Sequence, residues 1–237
     1  MKKILLALTV SGLVLSQVAA AQSPASLRED IEWCRIWIEC AAKHDLPRVL
    51  LIGDSICVGY QETVSQELAG KAHVAMCASS SALGDPLLLD QIKLLLTNYP
   101  VDVIHFNVGL HGWYYSEEDY RKELPKLLEV LRKNAPNAKL IWATSTPMRP
   151  DPKNTGKNRR IERRNQAAAA VMAGQDVTVD DLFGLVQKMA KDAASQADSK
   201  KQPGPWRDDG IHYLPEARTL QGKQVAKSVL EVLGQSR

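Results

Sequence analysis

The chain has 237 residues, of which 45% are hydrophobic and 24% charged, enough to bury one full hydrophobic core. A formal net charge of +3 is too weak to imply a nucleic-acid partner. Lys2 and Lys3, the apolar run from Ile4 to Leu15, and Ala19-Ala20-Ala21 together make a secretory signal peptide over residues 1–21, too short to span a bilayer. No other stretch is apolar enough to cross a membrane, and no cysteine closes the signal in a lipobox-like position, so no membrane anchor is expected. Export is therefore expected, to the periplasm or outside the cell. Beyond the signal, the pattern divides into an N-terminal helical extension (residues 22–47) and one α/β domain (residues 48–237).

In chain order, an amphipathic helix is expected over about Leu27 to Lys43, followed by a buried strand from Val49 to Gly53. Ile56 to Leu68 reads as a helix and Lys71 to Met76 as a second short strand. Asp85-Pro86 starts the next helix, with Asp85 as N-cap and Pro86 in its first turn. A third strand, Asp102 to Asn107, precedes a helix opened by the capping box Ser116-Glu117-Glu118-Asp119. Lys139 to Thr144 is a fourth strand, Arg159 to Ala173 an alanine-rich helix, and Asp176 to Val179 a fifth strand. Helices from Asp181 and over about Pro215 to Leu233 complete the chain. Strand and helix alternate throughout, which argues for a parallel sheet covered on both faces. The loops Arg149 to Asn158 and Ser195 to Asp209 lack periodicity and are expected to border a site.

Four cysteines remain in an exported chain: Cys34, Cys40, Cys57 and Cys77. An oxidising setting permits disulfides, and the even count allows three pairings. Cys34 and Cys40 point to different sides of the expected helix and do not bridge within it. A bridge between Cys57 and Cys77 is conceivable, as are buried free thiols. Nothing matches a zinc pattern, and no metal or cofactor is expected.

Chemistry concentrates at strand ends. Gly53-Asp54-Ser55 places a serine at the carboxyl end of the first parallel strand and at a helix N-terminus, where open α/β sheets bind ligands and developing negative charge is favoured. Serine needs a base within hydrogen-bond reach and a third group to orient that base. Near the other end, Asp208-Asp209-Gly210-Ile211-His212 supplies both: His212 as base and Asp209, three residues earlier, as the acid on its Nδ1–H. Asp208 is a rival for the acid, with the turn at Gly210 favouring Asp209. An acyl-transfer oxyanion also needs donors. The Ser55 backbone N–H is one; Gly109, His111 and Asn107 after the third strand, and Ser79 in Cys77-Ala78-Ser79-Ser80-Ser81, are the further candidates. Gly109 and Gly112 would let backbone approach a ligand closely. His44, His73 and His105 are given no catalytic role.

Gly53-Asp54-Ser55, Gly109-Leu110-His111 and Asp209-Gly210-Ile211-His212 together resemble the SGNH (GDSL-type) hydrolases over about Arg48 to Leu233. The resemblance implies a flavodoxin-like three-layer α/β/α sandwich with a five-stranded parallel sheet, with Ser55 as nucleophile, His212 as base and Asp209 as orienting acid. The chain departs from the family pattern twice. Ala78-Ser79-Ser80-Ser81 stands where the family has an oxyanion glycine, and His111 where it has the asparagine of Gly-x-Asn. A histidine presenting Nε2–H would rebuild the hole.

These readings imply an exported serine esterase whose partner is a small-molecule or polysaccharide ester, with carbohydrate deacetylation as the task. The alternatives are a lipase, thioesterase or lysophospholipase of the same family, or a catalytically impaired carbohydrate-binding protein on this scaffold. Trp113, Tyr114, Tyr115 and Trp206 flank the motifs and offer surfaces for sugar rings. The basic group Lys153, Lys157, Arg159, Arg160, Arg163 and Arg164 reads either as a solvated face or as a rim attracting an acidic substrate.

Overall fold

The computed structural model describes residues 28–196 and 204–234; the expected signal segment lies outside them. Six strands form one sheet: β1 (Cys34–Ile38), β2 (Arg48–Gly53), β3 (His73–Ser79), β4 (Val103–Phe106), β5 (Lys139–Ala143) and β6 (Val177–Asp180). The helices are α1 (Ser55–Glu67), α2 (Pro86–Asn98), α3 (Glu117–Asn134), α4 (Thr155–Met172), α5 (Leu182–Gln196) and α6 (Pro215–Gly234). The sheet order is β1-β3-β2-β4-β5-β6.

The five-stranded, all-parallel sheet expected from the sequence is therefore not what forms. Strands β2 to β6 pair in parallel, but β1 adds a sixth, antiparallel edge strand against β3, with Cys34 opposite Ser79 and Ile38 opposite Ala75. This segment lies inside the stretch expected to be helical. Its Cys-Arg-Ile-Trp-Ile sequence suits a strand, and the free edge of β3 supplies the ladder partner that a helix would forgo. Arg48, itself buried, then fixes the β1–β2 connection by donating to the carbonyls of Glu39, Cys40 and Lys43 at 2.8, 3.0 and 3.0 Å.

The central strands are apolar on both faces because both are covered. On β2, Val49 and Leu51 join the core beneath α1 and α6, while Leu50 and Ile52 join the core beneath α2 and α3. The result is a three-layer α/β/α sandwich. The helix starts follow their local chemistry. Asp85 accepts from Leu87 N–H with Pro86 at the first turn, and Ser116 and Asp119 close a reciprocal capping box.

From β2 the chain crosses to β3 on one side, and from β3 it crosses to β4 on the other. The carboxyl ends of β2 and β4 thus flank the switch in strand order, where a crevice opens. Both the Ser55 turn and the loop carrying His111 leave the sheet there.

Cys57 packs in the core on the α1 side and Cys77 in the core on the opposite face, so the sheet separates the pair conceived as a bridge. All four cysteines are free thiols.

Candidate active site

Asp54 is the N-cap of α1 and accepts from Ile56 N–H at 2.8 Å, which sets Ser55 as the first helical residue. Across the crevice, Asp209 Oδ1 accepts from the backbone N–H groups of both Ile211 and His212 at 2.8 Å, winding residues 209–212 into a tight turn. The turn brings His212 Nδ1 within 2.9 Å of Asp209 Oδ2 and His212 Nε2 within 2.9 Å of Ser55 Oγ. Residues 157 positions apart in sequence therefore join in one hydrogen-bonded relay. Partial burial would raise the Asp209 carboxyl, but the two backbone N–H groups and the His212 ring outweigh it and hold it at about 2. The carboxylate can only accept, so His212 carries its proton on Nδ1 and leaves Nε2 to accept from the serine hydroxyl. Asp208, the rival acid, is exposed and instead accepts from Arg149 through its backbone carbonyl.

Asp54 itself is 5% exposed, and its Oδ2 has no hydrogen-bond partner among the described residues. Burial raises its carboxyl, opposed by the charges of His111 and His212 and by the Ile56 N–H. A buried carboxylate thus lies within electrostatic reach of both rings.

Two cavities meet at Ser55 and His212. One, of about 480 Å³, is bounded by Glu29, Asp30, Ile31, Leu110, His111 and Trp113, among others. The other, of about 380 Å³, lies toward α1 and α6.

The oxyanion candidates separate. His111 lines the larger cavity with Ser55, and its Nδ1 bonds Glu29 Oε1 at 2.9 Å. Asn107 is engaged elsewhere, its Nδ2 donating to Ala143 O and Ser145 Oγ. Ser79 is buried at the end of β3, where its Oγ accepts from Ser81 N–H, and it lines neither cavity. Gly109 is required by packing rather than by ligand approach, since a Cβ there would stand 1.8 Å from Ser145 Oγ. Gly112 combines a φ of +72° with contact against Ala82, again a packing constraint.

The basic group of 153–164 divides: Lys153, Lys157, Arg159 and Arg163 are exposed, whereas Arg160 and Arg164 turn toward the protein. Arg164 is 1% exposed and donates to the carbonyls of Gly109, His111 and Gly112 at 3.0, 2.8 and 2.7 Å. Arg160 holds Trp113 O, Tyr115 O and Glu117. Together they clamp the loop that presents His111, with Arg164 lying 5.2 Å from the Trp113 ring centre. Of the aromatic residues expected on the surface, Trp206 is in the core with its Nε1–H on Pro147 O. Tyr114 is 67% exposed, and Tyr114 and Trp113 line the larger cavity.

Sequence reasoning missed the strap at residues 28–33. Arg28 pairs with Asp85 at 2.9 Å, Glu32 accepts from Ser80 Oγ at 2.6 Å, and Glu29 reaches His111. The strap lays Glu29, Asp30 and Ile31 along one cavity and leads into Trp33 and Arg35 along the other. His105, which has no place at the crevice, bonds Asp180 inside the core at 3.0 Å.

Residues 51–218 match the model of the GDSL-like lipase/acylhydrolase family. The chain belongs to that family. It is a serine hydrolase of the GDSL/SGNH type, acting on carboxylic esters. Among solved structures, it is similar to an acetyl xylan esterase at 15% identity, covering 77% of this chain and 99% of that one with a TM-score of 0.63. A carbohydrate acetylesterase from Sinorhizobium meliloti matches at 15% identity, covering 78% and 99% with a TM-score of 0.58. A GDSL-like lipase from Bacteroides thetaiotaomicron matches at 15%, covering 81% and 94% with a TM-score of 0.54. At these identities the likeness is one of fold. A search of curated proteins found no match.

Proposed function

We propose that this GDSL-type hydrolase is an exported carbohydrate acetylesterase, with Ser55 as nucleophile, His212 as general base and Asp209 as the acid that orients the base. The observation that carries the reading is the Ser55–His212–Asp209 relay at the mouth shared by two cavities. Support for a carbohydrate substrate comes from Trp113 and Tyr114 beside the relay and from the likeness to acetylesterases that act on carbohydrate. The expected signal peptide supports export.

In the first half-reaction, Ser55 Oγ bonds to the acetyl carbonyl carbon as its proton passes to His212 Nε2. Asp209, ionised, stabilises the imidazolium through Nδ1–H. The Ser55 N–H at the start of α1 and Nε2–H of His111 are assigned to the oxyanion. Collapse of the tetrahedral intermediate breaks the ester C–O bond, and the leaving sugar oxygen takes the proton from His212. Water then enters by the same route in reverse, releasing acetate and restoring Ser55.

The test is hydrolysis of p-nitrophenyl acetate and of acetylated xylan by the purified chain beside Ser55→Ala, with a serine-directed phosphonate as label. The expected result is a loss of at least about 10⁴-fold in the variant, with the label on Ser55 alone. Equal rates in both proteins, or label on another residue, would overturn the assignment.

A further inference from the structure

Besides Ser55 and His212, the cavity between Ser55 and α6 is lined by charged and polar residues that ester cleavage does not use. Its volume, about 380 Å³, lies in the range of small-molecule sites. Three guanidinium side chains line it from separate parts of the chain: Arg35 on β1, Arg207 in the loop before Asp209, and Arg218 on α6. Among the described residues no carboxylate lines it, and none of the three arginines forms an ion pair. Like charges gathered around a concave surface raise the local concentration of anions.

The floor of this cavity also carries polar groups without partners. Gln221 is 0% exposed, and among the described residues neither its Nε2 nor its Oε1 has a hydrogen-bond partner; Arg218 Nε is buried and unpaired among them as well. Buried donors are rarely left so, because the desolvation is uncompensated. Gly59 lies inside α1, where glycine is unfavourable relative to alanine. An added Cβ there would stand 3.1 Å from Arg218 Cδ, so Gly59 leaves room for the stem that carries this guanidinium. Trp33 lines the same cavity and offers an aromatic surface.

We propose that this cavity seats an anionic group of the substrate, a carboxylate of a uronic acid or a sulfate ester, on the sugar that bears the acetyl group or on its neighbour. The assignment deepens the carbohydrate-esterase reading and rests on it. Arg218 and Gln221 meet the anion at the floor, and Arg35 and Arg207 close on it from the rim. Guanidinium suits this task because its planar fork matches a carboxylate or sulfate edge. Arg160 and Arg164, by contrast, are committed to the loop clamp and are not free to recognise an acidic sugar.

The kinetic test compares kcat/KM on acetylated oligogalacturonides with that on acetylated xylo-oligosaccharides of equal length, at low ionic strength. The wild type is expected to favour the anionic substrate at least tenfold, chiefly through KM. That ratio should fall toward one in Arg35→Ala and in Arg35→Ala/Arg218→Ala, and with added salt. A wild-type ratio near one, or a ratio that neither variant changes, would overturn the uronic acid as the anionic group and leave sulfate to be decided by the binding arm. A second arm needs no turnover: tryptophan fluorescence of Ser55→Ala titrated with galacturonate, sulfate and neutral xylose. Saturable binding of galacturonate or sulfate that weakens at least tenfold in Arg35→Ala/Arg218→Ala sustains the anion site even if no ester is cleaved, and the stronger anion identifies the group. Hydrolysis of neutral acetyl esters with no arginine-dependent anion binding would keep the esterase and remove the anion site.

Discussion

Glu29 Oε1 bonds His111 Nδ1 at 2.9 Å, joining the strap that precedes β1 to the loop that follows β4. An ionised carboxylate accepts but cannot donate, so the His111 proton sits on Nδ1 and Nε2 carries a second proton only when the ring is cationic. If His111 serves the oxyanion in place of an asparagine, it does so as an imidazolium. The acidic groups facing it are Glu29 and the buried Asp54, whose carboxyl burial raises, with Asp30 on the same cavity wall; Lys157 and the Arg164 guanidinium oppose them. The free enzyme then needs His111 charged and His212 neutral, and kcat/KM should follow a bell in pH.

Glu29→Gln separates these requirements. A glutamine can donate to Nδ1, which lets a neutral His111 hold its proton on Nε2. The variant is expected to keep more of its activity than the wild type on the alkaline side of the optimum. His111→Ala should lower kcat about 10²- to 10³-fold with little change in KM, the loss found for one oxyanion donor. Parallel pH profiles for the wild type and Glu29→Gln would remove the charged-donor account.

Asp209 is held at about 2, so it stays ionised at neutral and mildly acidic pH. A carboxyl depressed below its unfolded value contributes above that unfolded value and loses the contribution as pH falls toward 2. The Asp209 side chain is 41% exposed, so solvent screens much of this effect. Asp209→Asn should leave the melting temperature nearly unchanged at pH 7 yet lower kcat about 10⁴-fold, because the amide donates to Nδ1 and forces the proton onto Nε2. A loss smaller than tenfold would show that Asp208 or solvent orients the ring equally well.

The Ser55–His212–Asp209 hydrogen-bonded contact was legible because each half is local. Gly53-Asp54-Ser55 ends an apolar strand, and Asp209 reaches His212 within one turn, so short-range geometry carries the signal. Strand β1 was not, although Cys34 to Ile38 is rich in β-branched and aromatic residues. Its state is decided by pairing with β3, whose Ser79 lies 45 positions beyond Cys34, and propensity gives way to such pairing. The Glu29–His111 contact spans 82 positions and follows from that strand, so missing β1 meant missing the strap. Arg164 was misread for a different reason. Inside a run of basic residues nothing local distinguishes the one whose helix face turns inward, and its partners are backbone carbonyls that leave no mark in the sequence.

That burial makes Arg164 a test of the loop. Arg164→Met should cost about 2–4 kcal/mol in urea denaturation, since three carbonyls lose a charged donor in a buried setting. Arg164→Lys should not restore it, because an ammonium cannot span the carbonyls of Gly109, His111 and Gly112 as the fork does. Activity should fall with stability in both variants, as His111 loses its support. Unchanged stability in Arg164→Met would mean that Arg160 and Trp113 hold the loop without it.

Cys34 and Cys77 lie on the same face of the neighbouring strands β1 and β3. The register sets Cys34 opposite Ser79 and Cys77 opposite Ile36, so the two cysteines are diagonal rather than paired. Diagonal neighbours stand about 7–8 Å apart at Cα, beyond the roughly 4.4–6.8 Å that a disulfide spans. Burial also pushes the Cys77 thiol up to about 12, leaving almost no thiolate at neutral pH to attack an oxidant. The protein purified without reductant should therefore show four titratable thiols after denaturation, at Cys34, Cys40, Cys57 and Cys77. A Cys34–Cys77 bridge in the peptide map would require β1 to slide along β3, carrying Trp33 and Arg35 away from the cavity beside Ser55.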